Sequence, residues 1–68
     1  MIQQIINNFT QFLLIMNITQ EQAGEELGYS QEHLSRVLRG QRTPSIKLLM
    51  KMEEMMKDYG FKETKDDK

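Results

Sequence analysis

The chain contains no cysteine and no tryptophan, and only one proline and one histidine among its 68 residues. Without cysteine there is neither a disulfide framework nor a thiolate metal site. A lone histidine, His33, excludes the multi-histidine clusters that commonly hold zinc. Long apolar runs are missing too, since no segment approaches the roughly 20 apolar residues of a membrane-spanning helix. The start, MIQQIINNFTQFLLIM, is broken by Gln, Asn and Thr and has no basic leader. It does not read as a signal peptide, and a cytoplasmic location is expected. Excess charge is lacking as well, and a formal net charge of −1 argues against a generic polyanion binder. A chain this short forms one domain at most and buries a modest share of its surface. A partner subunit is therefore an expected source of further stability.

The distribution of charge says more than its sum. Between residues 30 and 51, Arg36, Arg39, Arg42, Lys47 and Lys51 stand against Glu32 alone. Between residues 20 and 29, Glu21, Glu25 and Glu26 meet no base. Such segregation along a chain suits a molecule that turns one face to an anion.

From Ile2 to Met16 the apolar positions 2, 5, 6, 9, 12, 13 and 16 keep helical spacing, and Leu14 and Ile15 widen the stripe beyond one face. Asn17, tolerant of a left-handed backbone, is expected to end this first helix. Thr19 and Gln22 form a capping-box pair at the start of a second, with Glu21 in its first turn, where the helix dipole favours negative charge. Ala23 and Leu27 face inward and Gly28 stops it. Ser30 caps a third helix, which runs to about Leu38 or Arg39 and is closed by Gly40. After the polar loop Gln41 to Thr43, Pro44 and Ser45 open a fourth, Ile46 to about Asp58, stopped by Gly60. The expected fold is all-α, a domain over residues 1–60 with four helices, two of them short. The charged segment 61–68 has nothing to bury and is expected to be a disordered tail.

Residues 20–39, QEQAGEELGYSQEHLSRVLR, form a unit. Two short helices crossing steeply need a residue without bulk where their backbones nearly touch, and Gly24 supplies it despite about 1 kcal/mol lost in helix propensity relative to Ala. Gly28 provides the left-handed turn between them. Leu34 and Val37 seal the second helix of the pair onto the first. Gln31, Glu32, Ser35, Arg36 and Arg39 are left facing outward.

This spacing resembles the helix-turn-helix of the Cro/repressor-type, or XRE, family. The segment RGQRTPS is similar to the loop and proline after the recognition helix there, Ile18-Thr19-Gln20 resembles its lead-in, and the likeness covers roughly residues 9–56. Three departures stand out. Gly24 replaces a more usual alanine, Leu13 occupies a place where arginine is frequent, and the charged segment after Gly60 is not expected to form the fifth helix common in the family. The resemblance implies that Gln31, Glu32 and Arg36 point to base edges from the N-terminal half of the recognition helix. Gln pairs with adenine, Arg with guanine, and Glu accepts from cytosine N4, each good pair being worth about 1–3 kcal/mol of discrimination. Gln20 and Ser30, at helix N-termini, suit phosphates. Ser35, Arg39, Gln41, Arg42 and Thr43 would hold the flanking DNA backbone. Double-stranded DNA is thus the expected partner. The expected function is a sequence-specific transcriptional regulator, a repressor of phage or plasmid type, bound as a homodimer to a two-fold operator.

Glu32 also has a plain explanation, because an exposed acid early in a helix is favoured by the dipole. His33 reads as a surface residue or a phosphate neighbour. No cluster offers a nucleophile with its base, a metal set or a phosphate-binding glycine loop, so neither enzymatic activity nor a cofactor is expected. The fourth helix carries two apolar stripes. Ile46, Leu49, Glu53 and Met56 are expected to face the core, with Met52 at their margin. Leu48, Met52, Met55 and Tyr59 form the second stripe. Together with Leu14 and Ile15 these four make a candidate dimer or partner surface. The rival function is accordingly a protein-interaction module, an antirepressor or accessory factor docking through this Met-rich face.

Overall fold

The computed structural model describes residues 2–61, and among them the chain is all-α, with helices α1 (Ile2–Met16), α2 (Gln20–Leu27), α3 (Gln31–Leu38) and α4 (Ile46–Asp58). Their ends lie where local chemistry puts them. The Thr19, Ser30 and Ser45 hydroxyls each accept from the N–H three residues on, at 3.0, 3.1 and 3.1 Å. Each satisfies a donor that the first helical turn leaves without a partner. At Thr19 the box is complete, because its own N–H donates to Gln22 Oε1 at 3.0 Å. Helix α1 ends at Asn17, φ 60°, with the Ile18 N–H returning to the Leu13 carbonyl at 2.8 Å. Helices α3 and α4 close in the same way, through Gln41 to Arg36 at 2.9 Å and Phe61 to Met56 at 2.9 Å.

The core lies between α1 and α4, roofed by the α2–α3 pair. Helix α1 contributes Ile6, Phe9, Phe12 and Leu13, the pair contributes Ala23, Leu27, Leu34 and Val37, and all eight are buried. Phe12 is fully enclosed. Its ring meets Phe9 at 5.5 Å and, edge-on, Tyr59 and Phe61 at 5.3 Å each. Aromatic edges at this separation add to the burial of area. Leu13, where the resembling family often carries arginine, is a core residue here.

Helix α4 corrects the sequence reading. Leu48, Met52 and Met55 are buried along with Leu49 and Met56, so these three are core and offer no partner surface. Ile46 and Glu53, expected inside, are exposed. The reason is that α4 packs against both α1 and α2. Two neighbours demand a buried arc wide enough to merge most of both stripes. Tyr59, at the end of α4, is 44% exposed, while Leu14 and Ile15 stay open at 76% and 67%. Phe61, expected at the head of the tail, packs against the core. The rest of the expected tail, residues 62–68, lies outside the described residues, as does anything bearing on a fifth helix there.

Candidate nucleic-acid interface

Helices α2 and α3 meet at the two glycines singled out in the sequence. A Cβ on Gly24 would stand 2.6 Å from the Tyr29 carbonyl oxygen, closer than a methyl tolerates. The crossing is therefore tighter than an alanine at this position allows. Gly28 takes φ 84°, a region that L side chains rarely occupy. The N–H groups of Gly28 and Tyr29 both donate to the Gly24 carbonyl at 2.8 Å, which turns the chain sharply into α3. Lys51 reaches across from α4 and donates to the Leu27 carbonyl at 3.3 Å. Its charge thus complements the C-terminal end of the α2 dipole. The basic run read from the sequence loses one member to this structural task.

Helix α3 buries Leu34 and Val37 and turns Gln31, Glu32 and Arg36 to solvent, with Ser35 partly covered and Arg39 exposed at its C-cap. At about 100° per residue these five fall on one continuous arc. Within it Arg36 Nη2 donates to Glu32 Oε2 at 2.8 Å, an i,i+4 ion pair with side chains 51% and 75% exposed. So open a pair is worth at most about 1 kcal/mol. Its consequence is electrostatic and geometric: Glu32 offsets the Arg36 charge and holds the guanidinium along the helix.

The chain fold brings loop residues to this arc. Ser30, Glu32, His33, Arg36 and Arg42 line one shallow cleft, so the loop arginine stands beside the N-terminal half of α3. His33 also lies against the Tyr29 ring, with centroids 5.1 Å apart. A second hollow joins Gln41, Arg42 and Thr43 to Ile2, Gln3 and Ile6 of α1. Sequence reasoning missed Gln3, and no local pattern marks it, because only the packing of α1 beside the loop puts it there. Gln20, half-buried at the start of α2, and Gln31, Ser35 and Arg39 line neither hollow. Of the residues expected to meet DNA, Ser30, Glu32, Arg36 and Arg42 share one cleft, and Gln41 and Thr43 adjoin it through Arg42.

Chemically the face offers donors for phosphate and base edges: guanidinium groups, amides, hydroxyls and the opening turn of α3. No helix of the described residues is long and apolar enough to cross a membrane. Neither a curated protein nor a solved structure matches the chain. A family model described as helix-turn-helix matches residues 11–59, from the middle of α1 through α4. That span holds the glycine-turned α2–α3 pair and the outward arc of α3, and the chain belongs to the XRE-type helix-turn-helix family of DNA-binding transcription regulators.

Proposed function

We propose that the protein reads a specific DNA sequence through α3 and represses transcription by occupying a two-fold-related operator as a homodimer. The observation that carries this reading is the shared cleft of Ser30, Arg36 and Arg42 beside the exposed Gln31. A recognition helix and its adjoining loop have to present donors to one groove and its flanking phosphates together. Gln31, Glu32 and Arg36 read base edges. Ser30, Ser35, Arg39, Gln41, Arg42 and Thr43 hold the backbone around them, and Gln20 serves the phosphate at the start of α2. A dimer would set two such helices about 34–36 Å apart, one turn of DNA. Occlusion of a promoter needs no sensor domain.

The rival reading, a protein-interaction module on a Met-rich face, has lost half of that face and both its methionines, because Leu48, Met52 and Met55 are buried. The deciding measurement is duplex selection and then salt titration of the selected site. Arg36→Ala is expected to lower the preference for that site about tenfold or more. Arg42→Ala is expected to weaken all duplexes alike and to reduce the salt slope by about one. If the native chain binds no duplex even at low salt, the groove reading is wrong.

A further inference from the structure

Helix α4 buries one face, and nothing among the described residues covers the opposite one. On that outer face Ile46 and Met50, one turn apart, are 75% and 62% exposed. Beside them runs a shallow groove lined by Lys47, Met50, Lys51, Glu53, Glu54 and Lys57. Lys51 is engaged with the Leu27 carbonyl. Of the other charges in the groove, Lys47 comes before Met50, Glu53 and Glu54 follow it, and Lys57 lies one turn beyond them.

A stretch of helix that is basic before Met50 and acidic just after it is complementary to itself run backwards, and in that register Lys57 falls level with residue 43, ahead of the partner's α4. Place a two-fold axis beside Met50. Lys47 lies three residues before it and Glu54 four after, so each Lys47 comes level with Glu54 of the other copy to within about one residue's rise of 1.5 Å. Symmetry makes the contact twice. Ile46 and Met50, neighbours at i and i+4, supply the apolar strip between the charged flanks. A parallel pairing would set Lys47 on Lys47 and Glu54 on Glu54, like charge against like.

We propose that a second copy of this chain docks antiparallel on the outer face of α4, with Met50 at the two-fold axis and Lys47 paired with Glu54 of the partner subunit. This deepens the homodimer reading above and rests on it. Two exposed apolar side chains per copy make a weak interface, so the dimer forms at high concentration or where an operator holds two copies together.

The absence of cysteine from the chain makes a direct test available. Under mild oxidation without DNA, Met50→Cys should form a covalent dimer about tenfold faster than Gln11→Cys, a control exposed on α1, since the axis brings the two copies of residue 50 together. Equal rates would overturn the proposal. Sedimentation equilibrium supplies an independent arm. Lys47→Glu and Glu54→Lys should each weaken self-association roughly tenfold, and the double variant should recover it to within about twofold. A double variant no better than the singles would also overturn it. A chain that cross-links through position 50 yet binds no duplex would refute the operator reading and leave the α4 interface standing. A chain that binds a two-fold site as a dimer and never cross-links through position 50 would do the reverse.

Discussion

Tyr59 shows how one side chain ties a helix end to its surroundings and to pH. Its hydroxyl donates to Glu26 Oε1 at 3.1 Å, and its ring lies edge-on to Phe12 at 5.3 Å. Ionising the phenol would end that donated hydrogen bond, leave a charge in a partly covered place and set it against the Glu26 carboxylate. For these reasons, the hydrogen bond first, the phenol titrates above its ordinary value of 10.0. A pKa raised by folding means that the neutral form belongs to the folded state. The contribution is therefore full below about pH 10 and is lost as pH rises through the folded-state value. In denaturant titrations Tyr59→Phe should have a lower midpoint than the native chain at pH 8, and the gap should narrow as pH rises above the ordinary value of 10.0. A gap that does not vary with pH would show that the hydroxyl contributes no such linkage. The Glu32–Arg36 pair is the parallel case on the exposed face of α3. It contributes little to stability, but it determines where the guanidinium waits.

Among the helices, the α2–α3 pair carries the strongest geometric constraint. Gly24→Ala would gain about 1 kcal/mol of helix propensity in isolation. Here the added methyl would meet a backbone oxygen at 2.6 Å, and a backbone atom cannot step aside as a flexible side chain does. The clash should prevail, with a net loss of about 1–2 kcal/mol. In a domain of this size that is a fall in Tm of about 5–15 °C by thermal circular dichroism. A rise in Tm instead would mean that the crossing opens freely. Lys51 adds a tertiary restraint to the same pair, since its bond to Leu27 spans 24 residues of sequence.

In the molecule as a whole, a small core leaves a small margin. Domains of this size rarely hold more than about 3–5 kcal/mol. Phe12 touches three other aromatic rings and is fully enclosed, so Phe12→Ala removes about 3–5 kcal/mol, comparable to the whole margin. We expect the variant to be largely unfolded at 25 °C by far-ultraviolet circular dichroism and to bind DNA poorly for that reason alone. A cooperative native-like melt would show that the α1–α4 contact repacks around the loss.

Much of this architecture is local and was legible in the chain. Thr19, Ser30 and Ser45 start their helices because a hydroxyl answers donors three residues away. Asn17 and Gly28 mark helix ends because few other residues accept a left-handed backbone. Ala23, Leu27, Leu34 and Val37 face inward because their spacing matches the helical turn, and the same periodicity exposes Gln31, Glu32 and Arg36. The features that depend on distant neighbours were not legible. Periodicity orders the faces of α4 but does not say how many helices will cover them. Leu48, Met52 and Met55 became core because α1 and α2 both close on that helix. Lys51 left the basic face for the end of α2, Arg42 joined the cleft beside Ser30, and Gln3 came to lie by the loop, each through contacts between separate elements. Caps, turns and periodicity act over a few residues and are written in order along the chain, whereas burial and the shape of a binding face depend on which surfaces meet when the helices pack.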